Sequence, residues 1–529
     1  MDSMRFLTGM TACFALALAL VSARGEDLAA KASRGKELMA AGRFAEAIPL
    51  YRELVRALPN NPGPLMNLGL ALHMSGQQRE AIRQFQEVLR LNPKHLPARL
   101  FMGAAYLELK EPAEAIAALR IVIRAQPDNT DARLALGEAY LLREQFQSAA
   151  TQFEKLTELD PQNPKAWHGL GLSYEGLASR DFVELEKRAL GSPYWLVLFA
   201  EARVTAGYFT RAFLSYREAH AKMPTMRGIH LAVAEIYRRI GKPEWAATEE
   251  EKERKLPALD CSDVPSTVVP NAAKSQGDAT TSSRREAAGL LARKLECDYW
   301  AKRYAQVVAA SKGNTSVEAR FWRIRAYNEL ARAAFSHLAE LPPSAEVHEL
   351  LATVNFNRRK YHESAQQWQE ALKFSPGNRY YQERLAISLS SNHEYEGARK
   401  LLEDLIQQSP DSLELNYWLG STILGLREPE KAIPFLTRAM EIDPTVPAVH
   451  KELARAYMRI GQIEKAIPHL KTALPADEDG SVHYQLSVAY RRLGQRELAA
   501  QMLAKFQEIE EPARAGRGVS GSKYEIAPP

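Results

Sequence analysis

The chain has 529 residues, 46% of them hydrophobic and 25% charged, and Lys+Arg exceed Asp+Glu by 69 − 64 = +5. That is the composition of an ordinary globular chain. So small an excess over such a length leaves no electrostatic footprint for nucleic acid or for a membrane surface.

At the amino terminus Arg5 precedes an apolar run from Phe6 to Val21, and Val21-Ser22-Ala23 offers a small-residue cleavage site before Arg24. This reads as a secretory signal peptide over 1–23. An uncleaved anchor is the alternative; the run is short for a span and carries Thr8, Gly9 and Thr11. Cys13 lies inside the run, so the mature chain keeps two cysteines, Cys261 and Cys297. In an oxidising compartment that pair invites a disulfide, with two separate buried thiols as the alternative.

Beyond residue 24 the sequence is periodic. Gly35, Gly69, Gly103, Gly137 and Gly171 stand 34 apart, as do Ala47, Ala81, Ala115 and Ala149, and Pro59, Pro93, Pro127 and Pro161 close the units. A fixed period of this length sets the architecture before single residues are weighed. Within the third unit, 98–109 and 113–125 each carry apolar residues at three- and four-residue steps, the pattern of two amphipathic helices. Small residues stand where the helices touch, and the proline stops the second helix.

These positions, with Tyr106 and Tyr140 three after the small residue and Phe85 and Phe153 four after the alanine, resemble the tetratricopeptide repeat. The resemblance implies an all-α fold, an α-solenoid coiled as a right-handed superhelix of about fourteen helix-turn-helix repeats. Along the chain we expect an N-terminal array over 24–259, irregular near 178–193, and a Ser/Thr/Ala/Pro-rich linker over 260–284. A C-terminal array follows over 285–510, its first two repeats degenerate, and then a disordered tail over 511–529. The apolar stretch from Tyr194 to Phe199 reads as packing at the irregular joint, with an exposed contact patch as the alternative.

No catalytic, cofactor-binding or metal-binding residue is expected. Gly516-x-Gly518-x-x-Gly521 fits a dinucleotide fingerprint by letter, but no strand precedes it and no helix follows. His230, His348, His450 and His483 occupy the fourth position of their repeats and read as packing residues.

In the family the first helix of each repeat lines a groove. Carried over by position, that groove presents Met66, Leu70, His73, Met74, Leu100, Leu107, Leu134, Leu141, Leu142 and Leu172 toward the amino terminus. Toward the carboxy terminus it presents Tyr417, Lys451, Arg455, Met458, Arg459, Tyr484, Arg491 and Arg492. The first set suits an amphipathic helix or apolar segment, and the second an acidic peptide or terminal carboxylate. Burial by neighbouring turns and a solvated charged face are the respective alternatives. The family's carboxylate clamp needs Lys and Asn where Ala32, Leu70 and Phe101 stand, and is not expected. The resemblance therefore implies a non-catalytic scaffold that binds other proteins, with no nucleic acid, no cofactor and no membrane span in the mature chain. Its place would be the periplasm or cell envelope. The alternative is an accessory subunit of an envelope polysaccharide or secretion machine.

Overall fold

The computed structural model describes residues 27–262, 281–477, 480–515, 526 and 528–529, and among these every regular element is helical. The expected signal at 1–23, residues 263–280 of the linker and residues 516–525 of the tail lie outside the described residues. The chain divides into two compact units, one ending at Leu177 and one beginning at Ala178.

The first unit is a run of helical hairpins: α1 (27–40) with α2 (Phe44–Ala57), α3 (Pro62–Met74) with α4 (Gln78–Leu91), α5 (Leu96–Glu108) with α6 (Pro112–Ala125), and α7 (Thr130–Leu142) with α8 (Phe146–Leu159). It ends within α9 (Pro164–Ala189). Helices α2, α4, α6 and α8 each stop two residues before a proline of the 34-residue series, which cannot extend them. The next helix is restarted by a side-chain cap, as where Asn129 Oδ1 accepts from the Ala132 N–H at 2.9 Å. Inside each hairpin the turn has one residue at positive φ: Gly42, Gly76, Lys110 and Glu144.

At the next register position stands Ala178, the best helix former and a poor left-handed residue. No turn forms there, and α9 runs on for 26 residues.

The glycine series has a steric cause. A Cβ built on Gly103 would lie 2.6 Å from Leu119 Cγ, and one on Gly69 would lie 2.5 Å from the Phe85 ring. Gly137 meets Phe153 and Gly35 meets Tyr51 in the same way. Each pair is 16 residues apart, and the larger partner is buried. Gly103→Leu should therefore overpack the α5–α6 contact and cost about 1–3 kcal/mol. Urea unfolding followed by circular dichroism reads this, and a variant as stable as the parent would show that the contact yields.

A second device repeats with the prolines. The carbonyls of three of these prolines receive a hydrogen bond from the side chain six residues on: Arg99 to Pro93 at 2.9 Å, Arg133 to Pro127 at 2.7 Å and Trp167 to Pro161 at 2.8 Å. Unsatisfied carbonyls at a helix end carry a desolvation cost, and any N–H donor in reach removes it. Hence the residue type at these three positions varies while the donated N–H does not.

The second unit opens with the last turns of α9. Two hairpins follow, α10 (Pro193–Thr205) with α11 (Phe209–Lys222) and α12 (Ile229–Arg239) with α13 (Pro243–Arg254). After the undescribed 263–280 come α14 (Thr281–Trp300), α15 (Tyr304–Ser311) and the 24-residue α16 (Val317–Glu340). Regular hairpins then resume: α17 (Ala345–Asn357) with α18 (Tyr361–Phe374), α19 (Arg379–Ser391) with α20 (Tyr395–Gln408), α21 (Leu413–Gly425) with α22 (Pro429–Ile442), α23 (Pro447–Arg459) with α24 (Ile463–Ala473), and α25 (Ser481–Arg492) with α26 (Arg496–Ala515). The same rules hold here. Gly420 faces Leu436, and Gln382, Asn416 and His450 bond to the carbonyls of Pro376, Pro410 and Pro444. A carbonyl only accepts, so the proton of His450 sits on Nε2.

The expected division at 260–284 is not where the units part. Helices before and after that segment pack together inside the second unit. Tyr194 of α10 lies 5.0 Å from the ring of Phe321 of α16. Arg325 of α16 reaches Glu201 of α10 at 3.1 Å, with its guanidinium over Tyr299, Phe321, Trp322 and Trp300. Leu196, Val197 and Leu198 are buried. Asp181 bridges two buried arginines of α16, Arg320 at 3.1 Å and Arg323 at 2.5 Å. Cys261 and Cys297 are joined as a disulfide with Cα atoms 6.0 Å apart, tying the coil after α13 to α14.

Candidate partner-binding grooves

In the first unit the sequence places its groove residues on α3, α5, α7 and α9, and the structure sorts them by depth. Met66 belongs to the core at 9% exposure. Leu70, Leu100 and Leu107 are half-buried and pack against the core that runs through successive hairpins. Leu134 and Leu141 are half-buried as well. Met74 and Leu142, at the last turns of α3 and α7, stand out at 53% and 57%, and Leu172 at 38%. Met74 and Leu142 are two repeats apart, with the exposed Glu108 between them in register. His73 is held by Gln78 Oε1 at 2.6 Å, and its ring lies 6.3 Å from that of Phe101. The register of Leu107 and Leu141 continues at Glu175, an exposed acid whose carboxyl is pushed up by the partial desolvation that the surrounding protein imposes. Sequence inspection passed over this acid, although the period alone would have put it on the lining.

In the second unit the corresponding face of α21, α23 and α25 is charged, and the structure gives several of its charges internal work. Arg459 Nη1 donates to the Leu424 carbonyl. Arg492 Nη1 donates to the Met458 carbonyl at 3.0 Å. Both close the C-terminal end of the first helix in the preceding hairpin, where carbonyls lack the amide four residues on that the helix interior supplies. Burial and the nearby Arg455 and Arg427 press the Arg459 guanidinium below its ordinary value. Arg455 pairs at 3.0 Å with Glu452, an acid at 7% exposure whose carboxyl burial pushes up. Burial and Glu452 also push the half-buried Tyr417 phenol up to about 12. Lys451 is half-buried beside them. Tyr484 is 47% exposed with its ring 5.2 Å from that of Phe506, and Arg491 is exposed.

Glu452 was not foreseen; its signal was Arg455 one helical turn later. Nor was Tyr380 of α19, 46% exposed beneath the Arg384 guanidinium. Its signal was its place near the start of a first helix.

The histidines singled out in the sequence are held within the fold: His230 at 2.5 Å from Glu249, His348 at 2.8 Å from Gln367, His450 at 3.0 Å from His469 and His483 at 2.6 Å from Asp477. Among the described residues no group of three His, Cys, Asp or Glu side chains could hold a metal. No helix among them is long and apolar enough to cross a membrane.

Two family models described as tetratricopeptide repeat match this chain, one at residues 102–164, 134–177 and 383–447 and the other at 423–488. The chain carries tetratricopeptide repeats. A model described as anaphase-promoting complex, cyclosome, subunit 3 matches 40–122. Tetratricopeptide repeat protein 33 of Homo sapiens is 36% identical over 94 residues, covering 18% of this chain and 36% of that protein. Protein O-mannosyl-transferase TMTC1 of Homo sapiens is 27% identical over 135 residues, covering 25% of this chain and 15% of that protein. This chain thus spans about a third or less of the length of these relatives. Among solved structures, MamA 41-end from Desulfovibrio magneticus RS-1 has 30% identity, covers 28% of this chain and 82% of its own, and has a TM-score of 0.27.

The tetratricopeptide repeats here present an apolar first-helix face in one unit and a charged one in the other. Ala32, Leu70 and Phe101, which stand where the family's carboxylate clamp needs Lys and Asn, are half-buried against the core.

Proposed function

We propose that this protein is a non-catalytic scaffold that holds partner proteins on the first-helix faces of its tetratricopeptide repeats. The reading further places it, after export, in the periplasm or cell envelope. The observation that carries the first part is the exposure of Met74 and Leu142 above a bed of half-buried leucines. A partner that lays an amphipathic helix along this face gains by covering those side chains. The short match to a mannosyl-transferase is no reason to assign that chemistry here, because it takes in so little of that protein. Export is supported by the Phe6–Val21 run and by the Cys261–Cys297 bridge, which suits an oxidising compartment.

The test replaces the two protruding side chains together, Met74→Asp and Leu142→Asp. Both are more than half exposed, so helicity and melting should match the parent. The native partner, captured by the parent from envelope extract and then purified, should bind the double variant at least about tenfold more weakly, the loss of roughly 1.4 kcal/mol. Equal affinity would end the groove reading. Sequencing the amino terminus of the protein from its own cells should give Arg24 first, and an intact Met1 would end the reading of 1–23 as a cleaved signal.

A further inference from the structure

Away from the first-helix faces, the second unit has a cleft of about 470 Å³ between two hairpin turns, one over 204–209 and the other at 357–359. These are the same turn of the repeat, with Gly207 and Arg359 at positive φ in each. Three arginines line the cleft, Arg239, Arg358 and Arg359, together with Tyr208, Phe209 and Asn357, and no carboxylate lines it.

The aromatic floor is fixed by cations. Arg203 and Arg359 stand over the Tyr208 ring at 5.7 and 5.4 Å, and Arg239 over Phe209 at 5.9 Å. Arg359 Nη2 donates to the Tyr208 hydroxyl at 2.9 Å. That oxygen is thereby the acceptor, which leaves the phenolic O–H to donate to an acceptor entering the cleft. Arg239 is paired at 2.9 Å with Glu235 outside the lining, while Arg358 and Arg359 are exposed.

We propose that this cleft is a second binding site, for an acidic peptide segment. Guanidinium groups bind carboxylates as paired donors, and the phenol supplies one donor more. The choice of a peptide over a single small anion follows from exposure. Each solvated ion pair contributes little, so useful affinity needs several carboxylates on one chain, matched to several arginines.

The probe is a fluorescein-labelled hexaglutamate peptide, read by fluorescence anisotropy against the full chain in low salt. Arg359→Gly is the informative variant. Glycine accepts the left-handed turn at least as well as arginine, so the fold is not weakened while the guanidinium is lost. We expect Arg359→Gly to weaken the peptide about tenfold, with Arg358→Gln adding to the loss. Tyr208→Phe keeps the ring but removes the donor, and should weaken it less. Arg79→Gln, at a 73%-exposed side chain in the first unit, should change nothing. Binding should fall steeply with added salt. No measurable binding, binding by Arg359→Gly equal to the parent's, or equal binding of a hexaglutamine peptide would each overturn the proposal. So would competition by free glutamate or inorganic phosphate at the same concentration as unlabelled peptide.

Discussion

Asp181→Ala is expected to cost about 3–5 kcal/mol, among the largest losses any single substitution in this chain should produce. The carboxylate sits at 11% side-chain exposure between Arg320 and Arg323, themselves at 9% and 10%. Removing it leaves two guanidiniums in a place where water cannot replace the lost anion. Arg323 keeps some company, since its Nη1 also donates to the carbonyls of Ser311 and Asn314 at 2.6 and 3.1 Å. Arg320 keeps none of comparable strength. Replacing Asp181 by leucine together with Arg320→Met should therefore recover part of the loss, by removing the worse of the two stranded charges. Tryptophan fluorescence in urea is a suitable measure. Six of the seven tryptophans (Trp195, Trp245, Trp300, Trp322, Trp368 and Trp418) lie in the second unit, with Trp167 in the first. A loss below about 1 kcal/mol would place this trio with ordinary surface ion pairs.

The same trio shows where the sequence stops being informative. The repeat itself was legible because its physics demands particular residue types. Only a small residue fits at Gly103 above Leu119, and only proline stops α6 so sharply at Ala125. Such demands recur every 34 residues and can be counted. The pairing of Asp181 with Arg320 and Arg323 spans 139 and 142 residues and occurs once, so no periodicity announces it. Composition pointed instead to 260–284 as the divide. That segment does change character, but α10 and α16 on either side of it share Tyr194, Phe321, Glu201 and Arg325.

The groove residues show a related limit. A cation on a first helix has the same letter whether it meets a ligand or, like Arg459 and Arg492, a carbonyl of the hairpin before it. The repeat register gives the face of a side chain and not its depth, and so Met66 and Met74, eight residues apart on α3, were indistinguishable. One is core and the other is more than half exposed. The fourth-position donors were legible in principle. Arg99, Arg133, Trp167, Gln382, Asn416 and His450 share nothing except an N–H, and each stands six residues after a proline.

Reduction of the Cys261–Cys297 bridge is expected to cost the second unit roughly 3–4 kcal/mol. The bond closes a loop of sequence separation 36, and in the chain-entropy account a cross-link stabilises by limiting the unfolded ensemble, increasingly so for longer loops. Cys297 is 4% exposed on α14, close to Trp300, whose ring packs beside Gly228. Loosening the coil at Cys261 should therefore loosen that packing too. Urea transitions with and without reductant, and for Cys261→Ser with Cys297→Ser, should shift downward together. The first unit holds neither cysteine, and its Trp167 signal should stay in place. Coincident transitions for oxidised and reduced protein would show that the bridge constrains nothing that folding does not already fix. The compartment can be read from the same bond. Protein drawn from its own cells into denaturant should resist thiol alkylation at both cysteines until reduced. Immediate labelling at both would remove one of the two supports for export.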